Sequence, residues 1–477
     1  MNFEFLNKQA TGFAFLIFFI TAFAVRAGVF YYYIQHEQRY CQPDTPGYAS
    51  PALALYKGIG MSMPNGQPVF WRTPGYPALL APFFSCSTTD SWYLYAHEDA
   101  YKQALWVQIL WCSLLPILGY ILAWILTGSL LISYIVAAIS IVHPGFVLAS
   151  TFLLTDGPAQ IFFVIFLICL LKNLSMVDRV KRPYRYLAGA ALALSAYTWM
   201  RPMGQFVAVA ALLIFCFFPV SFKEKCKQAL FFIIIFALSI SPWFIRNYNL
   251  TGKVFFCPLF GLYFNVFNAP KIRARVEQIP HELAWKKQCK EAEQEVMKEY
   301  QAYALTGNQK VIVNEMICMQ PAIPWMLNYP HYFVYDWIVE VCKTTFDLYS
   351  YQFVSLYNNT FKWDPLVEYL GDKFADTLYR KDLPWYIRIL AYLELVSEIM
   401  LWIGIFSGLG LLIGPDFRKK FLHLWIPCGL LMGAVLCQTG GFGYARLRLP
   451  VELLIIILGL VFWLSRKNGK PVRAVAK

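Results

Sequence analysis

Ten apolar stretches recur along this chain, at residues 11–34, 103–126, 129–147, 157–174, 186–200, 204–220, 229–245, 386–413, 421–438 and 450–465. Inside a bilayer no water is present to satisfy backbone N–H and C=O groups, so runs of this kind favour helices, which bond internally. The expected fold is an all-α polytopic membrane protein with about ten transmembrane helices. The stretches at 186–200 and 204–220 are short against the ~20 residues of a perpendicular span. They require local thinning of the bilayer or shielding by neighbours. Composition agrees with the pattern: 58% of the 477 residues are hydrophobic and 14% are charged, which sets the chain apart from ordinary soluble domains. The first stretch runs on without a small-residue cleavage site, so it reads as a retained anchor.

Basic flanks orient the spans. Lys172, Arg179, Lys181, Arg182 and Arg185 follow the fourth stretch, and Lys223, Lys225 and Lys227 follow the sixth. Arg418, Lys419 and Lys420 follow the eighth, and Arg466, Lys467, Lys470, Arg473 and Lys477 follow the tenth. The positive-inside rule makes these flanks cytoplasmic, and both termini with them. Much of the net charge of +13 is thereby assigned to one membrane side, and a nucleic-acid partner is excluded.

Three regions result. Residues 1–245 form an N-terminal transmembrane module with a long first outer loop at 35–102. Residues 246–385 form an extracytoplasmic, juxtamembrane segment, and residues 386–477 hold the last helices and a basic tail. Within the middle region Trp285, Cys289, Ala292, Val296, Tyr300 and Tyr303 recur at helical spacing between charged residues. That pattern predicts an amphipathic juxtamembrane helix whose stripe is a packing surface. The twelve cysteines include no C-x-x-C pair, which leaves zinc and thioredoxin-like chemistry unsupported. Cys41, Cys86, Cys257, Cys289, Cys318 and Cys342 fall in the outer segments, where disulfides are possible.

Ionisable residues near helix ends in a bilayer must pair, reach water or act on a substrate. Here they gather on the outer side. Asp44 and Tyr48 follow the first span, with Arg72 and Tyr76 further along the same loop, all among prolines and glycines that fix backbone direction. Asp156 lies between the third and fourth spans, Arg201 caps the fifth, Arg246 ends the seventh, and Arg446 and Arg448 precede the tenth. Each has a plainer reading. Asp156 could cap the fourth helix, and Arg201 or Arg246 could snorkel to headgroups. Together, two aspartates and five arginines suit an anionic phosphate leaving group beside a proton acceptor. Arg26, Glu394 and Glu398 lie within spans; the two glutamates, on one helical face, read as structural partners of a basic residue. His143 reads as a hydrogen-bonded structural group and not as a metal ligand.

The order of these motifs resembles the GT-C superfamily of polyprenyl-phosphate-sugar-dependent glycosyltransferases, in the branch of protein O-mannosyltransferases and lipid A aminoarabinose transferases. The matching positions are Asp44, Gly47 and Tyr48; Arg72, Pro74 and Tyr76; Thr155, Asp156 and Pro158; Arg201 and Pro202; Pro242, Trp243, Arg246 and Asn247; and Arg446 or Arg448 before Pro450. The resemblance implies that Asp44 is the catalytic acid of the first loop, taking the proton of an acceptor hydroxyl, with Asp156 as its partner. It implies that Arg72 and Arg246 hold the lipid phosphate and that the reaction inverts the anomeric centre. It implies a polyprenyl-phosphate-linked sugar donor, a lipid, glycan or protein acceptor, and contact with membrane lipids. Relatives often place two adjacent acids in the first loop, whereas Asp44 is followed here by Thr45. No metal or cofactor is expected, although a divalent cation could bridge Asp156 and phosphate. The competing class is a transporter or lipid flippase, which would place polar groups such as Arg26, Glu394 and Glu398 around a cavity at the bilayer centre.

Overall fold

The computed structural model describes residues 8–34, 40–42, 44–86, 98–175, 184–217, 221–259, 263–302, 320–349, 385–411, 415–438, 443 and 445–466. Among these, all regular elements are helical, and strand-like pairing is confined to an isolated bridge between Ser62 and Pro68. Helix α1 is Lys8–Ile34. Two short helices follow, α2 (Pro46–Tyr56) and α3 (Gly75–Leu80), before a run of apolar helices: α4 (Glu98–Cys112), α5 (Leu115–Thr127), α6 (Leu130–Val142), α7 (Pro144–Thr151), α8 (Asp156–Ser175), α9 (Tyr184–Met200), α10 (Gly204–Phe215) and α11 (Phe222–Thr251). The middle of the chain supplies α12 (Ala269–Val276), α13 (His281–Ala302), α14 (Ile323–Asn328) and α15 (Pro330–Phe346). Last come α16 (Trp385–Leu411), α17 (Pro415–Cys437), a 3-10 turn at Ala445–Val451 and α18 (Glu452–Arg466).

Local chemistry sets several boundaries. The Ser129 hydroxyl accepts the Ile132 N–H at 3.4 Å to cap α6, and Ser221 caps α11 by accepting the Glu224 N–H on both its hydroxyl and its carbonyl, serving N–H groups of the first helical turn. Helix α5 ends at Gly128, whose φ of 63° is left-handed and lets its N–H close on Trp124 O. Pro144 cannot donate to the preceding turn, and α6 and α7 meet at a 47° bend there.

Helices α8 and α18 lie at the centre, with Leu453, Leu454, Ile455, Ile456 and Ile457 fully buried. Helix α9 packs along α8 and α11. A second apolar cluster joins Phe30, Tyr48, Leu53, Tyr76, Leu105 and Leu154, seating the chain between α1 and α4 on the segment before α8.

Ten spans are expected from the sequence; among the described residues six helical segments are long and apolar enough to cross a membrane: Thr11–Tyr32, Glu98–Thr127, Asp156–Leu174, Phe222–Thr251, Arg388–Gly408 and Ala445–Leu464. The bent pair α6–α7 makes a seventh if its halves form one span. The stretch at 186–200 and the described part of 204–220 are helical but short, while 421–438 belongs to the 23-residue α17. At ~1.5 Å per residue, α10 reaches ~18 Å, well below the ~30 Å of hydrocarbon it would have to cross. In α13 the buried line is Ala284, Gln288, Ala292 and Val296, one residue before the expected stripe at Trp285 and Cys289. The side chains of Tyr300 and Tyr303 lie outside the described set, as does the tail after Arg466. Cys41, Cys257, Cys289 and Cys342 are unbridged.

Candidate functional site

Asp44 reaches its position because its neighbours stitch the loop to the segment before Asp156. Thr45 Oγ1 accepts the Gln42 N–H at 2.8 Å and donates to Leu153 O at 3.1 Å, while Leu153 N donates to Tyr40 O at 3.0 Å. Pro46 then opens α2 at a position where its missing N–H is not needed. A side chain at Gly47 would place a Cβ 2.9 Å from Arg72 Nε, so glycine is what allows this guanidinium to lie against the loop. Arg72 stacks 4.5 Å from the Tyr48 ring centroid and donates from Nη1 to the Tyr48 hydroxyl at 3.1 Å. Gly75 allows a second close approach, since a Cβ there would sit 2.6 Å from Trp199 O, two residues before Arg201.

Five charged residues form one alternating chain. Arg72 Nη2 lies 2.8 Å from Asp44 Oδ1, and Arg446 Nη2 lies 2.9 Å from Asp44 Oδ2. Arg446 Nε is 3.7 Å from Asp156 Oδ1, which accepts a hydrogen bond from Arg201 Nη1. Asp44 is 37% exposed and Asp156 only 3%, so one carboxylate is open to an incoming molecule and the other is sealed. Burial alone would raise the Asp44 carboxyl, but Arg446 and Arg72 outweigh it and lower the pKa to about 2. A small crevice adjoins the chain, lined by Gly145, Phe152, Asp156, Tyr349, Arg446 and Leu449.

The two expected tyrosines differ in role. Tyr48 carries Arg72, whereas Tyr76 is buried and donates to Gln108 Oε1 at 2.7 Å. Gln108 Nε2 in turn donates to Phe152 O at 2.7 Å, so Tyr76 belongs to the floor of the site, edge-on to Tyr48 at 5.4 Å.

The structure does not bring Arg246 and Arg448 into this group. Arg246 donates to Met61 O at 2.6 Å and Val69 O at 3.2 Å and stacks 4.3 Å from Trp243. It holds the loop that leads into Arg72. Arg448 is fully buried and pairs with Glu398 and Glu452, donating also to Asp347 O at 2.6 Å. Successive positions of a three-residue turn point to different sides, which separates Arg446 from Arg448. Glu398 is therefore the partner of a basic residue, while Glu394 accepts the Tyr349 N–H at 2.6 Å. Arg26 donates to Ala22 O and Ser140 O, each at 3.1 Å; its described bonds do not reach either glutamate.

Sequence reasoning missed two features. Tyr263 lies within electrostatic reach of Arg72, Asp44 and Arg446, in a stretch with no motif to mark it. Glu340 and Asp347 hold the backbone just before Arg446. Glu340 Oε2 accepts the Gly443 N–H at 2.6 Å, and Asp347 Oδ2 accepts the Ala445 N–H at 3.0 Å. Burial would raise Glu340, but Lys271 at 2.6 Å and Lys343 at 2.9 Å keep its carboxyl below the usual range. The heptad spacing of Glu340 and Asp347 was the available signal.

No protein-family model matches the chain, and no curated protein matches it. Among solved structures it is similar to ArnT from Cupriavidus metallidurans in the apo state, at 13% identity and a TM-score of 0.37, covering 95% of this chain and 78% of that one. It is similar also to ArnT from Cupriavidus metallidurans bound to undecaprenyl phosphate, at 13% identity and a TM-score of 0.39, covering 95% of this chain and 79% of that one.

Proposed function

We propose that this chain is an integral membrane glycosyltransferase that moves a sugar from a polyprenyl-phosphate carrier to a hydroxyl of a lipid, glycan or protein acceptor on the extracytoplasmic side, inverting the anomeric carbon. The observation that carries this reading is the partly open Asp44 carboxylate with one guanidinium on each oxygen. Arg72, Arg201 and Arg446 against Asp44 and Asp156 leave one net positive charge, matching the single negative charge of a phosphodiester.

The chemistry follows from exchanging partners. An entering phosphate draws Arg72 and Arg446 from Asp44, because a guanidinium fork binds phosphate as well as carboxylate. Asp44, relieved of two cations, becomes the stronger base and takes the acceptor's proton as that oxygen attacks the anomeric carbon. The bond from that carbon to the phosphate oxygen breaks, and the arginines stabilise the departing polyprenyl phosphate. Asp156 holds Arg201 and Arg446 in position, and Arg246 and Arg448 brace the backbone beneath Arg72 and Arg446.

The test is sugar transfer in membranes carrying Asp44→Asn, supplied with a panel of polyprenyl-phosphate sugars. A fall of about 10²–10⁴ is the effect of removing a general base. Undiminished transfer would remove Asp44 from the reaction.

A further inference from the structure

Behind the turn that presents Arg446 lies a buried group with more negative than positive charge. Arg448 Nε meets Glu452 Oε2 at 2.8 Å, and Arg448 Nη2 meets Glu398 Oε1. Each carboxylate thus spends one oxygen on the guanidinium. The other oxygens, Glu398 Oε2 and Glu452 Oε1, make no close hydrogen bond, with Trp402 beside Glu398 and His143 beside Glu452 as neighbouring donors, and His143 Nδ1 is also without one. His143 is nine-tenths buried, at 10% exposed, and its Nε2 lies 3.6 Å from Glu452 Oε1. Glu394, one helical turn before Glu398, adds a third buried carboxylate. Glu398 and Glu452 therefore share one guanidinium, with Glu394 held by the Tyr349 N–H beside them, and buried carboxylates short of compensation are strongly unfavourable.

We propose that His143, Glu398 and Glu452 bind a divalent transition-metal cation. Ligand atoms of the three residues lie within 4.8 Å of one another. Bonds of ~2.1 Å in a tetrahedral site set ligand atoms ~3.4 Å apart. The His143 to Glu452 distance of 3.6 Å is already near that value, and binding requires Glu398 to move closer. An imidazole with two carboxylates suits Mn²⁺, Fe²⁺ or Zn²⁺. Tyr349, which donates to Glu452 Oε2 at 2.9 Å, and Arg448 orient the ligands from outside. The ion joins the end of α6, the middle of α16 and the start of α18. It fixes the turn that carries Arg446 while standing apart from the reacting groups.

Full-length protein purified in detergent is equilibrated with Mn²⁺, passed through gel filtration and analysed for metal. Manganese is the probe because scattered thiols compete weakly for it. The expected result is about one Mn²⁺ per chain and a melting temperature that rises with Mn²⁺, as selective binding to the folded state requires. His143→Ala and Glu398→Gln should lose both effects, by about 10-fold or more in affinity, while Asp44→Asn keeps them. Glu398→Gln is nearly isosteric, and its gel-filtration profile reports its fold. Substoichiometric manganese in the unaltered protein, or full binding and the same thermal shift in both variants, overturns the proposal and leaves protons to offset the carboxylates. Loss in Asp44→Asn alone overturns it too, by placing the metal at the other site. Metal content is read without any transfer assay, so failure here leaves the glycosyl-transfer reading untouched.

Discussion

Arg446 and Asp44, 402 positions apart in the chain, meet in an ion pair of 2.9 Å. The same guanidinium reaches Asp156 at 3.7 Å. Arg446 is therefore the cation shared by the open and the sealed carboxylate. Arg446→Ala should lower transfer by about 10²–10³, the usual effect of removing one group that stabilises developing charge. Arg446→Lys should restore only a small part, because an ammonium cannot serve two carboxylates through a planar fork. Steady-state transfer rates decide both.

Asp44 gives a pH signature. Its folded pKa of about 2 lies below the ordinary aspartate value of ~3.9. The sign is that of a depressed acid: its contribution to stability is complete above the unfolded value and is lost as pH falls through about 2. In the free enzyme Asp44 stays ionised across ordinary pH, so kcat/KM should show no acid limb from this group above pH ~4. Once donor phosphate takes the two arginines, the acid limb of kcat should move upward. Coincident acid limbs in the two profiles would contradict the exchange of partners.

Two glycines should respond differently to alanine. At Gly47 the new Cβ meets the end of Arg72, at 2.9 Å from Nε, a flexible side chain that can yield. Gly47→Ala should keep its melting temperature and lose transfer. At Gly75 the obstacle is the Trp199 backbone, with O at 2.6 Å and C at 2.7 Å, which cannot yield without moving α9. Gly75→Ala should lower the melting temperature and transfer together.

Glu340 is 4% exposed and serves Lys271, Lys343 and the Gly443 N–H. Glu340→Ala leaves these donors without their acceptor, and loss of one partner from a buried pair costs about 3–5 kcal/mol. Thermal unfolding should register the loss, and transfer should fall because the chain before Arg446 is no longer held.

The first-loop and second-loop motifs were legible because short-range chemistry builds them. Pro46, Gly47 and Gly75 shape local backbone, and Asp44, Arg72, Asp156 and Arg201 lie beside those turns. Arg446 and Arg448 could not be told apart, since both precede Pro450 and only the packing of the turn against α15, α16 and α18 separates them. Arg246 carried the same outward signals as Arg72, yet its partners are backbone carbonyls at Met61 and Val69. Carbonyls have no side-chain pattern to read. Hydropathy likewise shows where a helix is apolar, while the lengths of α9 and α10 follow from breaks at Arg201–Met203 and beyond Phe215.

The 3-10 turn at Ala445–Val451 makes function depend on register. It sends Arg446 to the aspartates and Arg448 to the glutamates, so insertion of a single residue between Gly443 and Arg446 would slide both side chains out of their assigned compartments at once. Point substitution can weaken either arginine alone. A frame slip of one residue disarms the pair, and a change of two could hand Arg448 the task of Arg446.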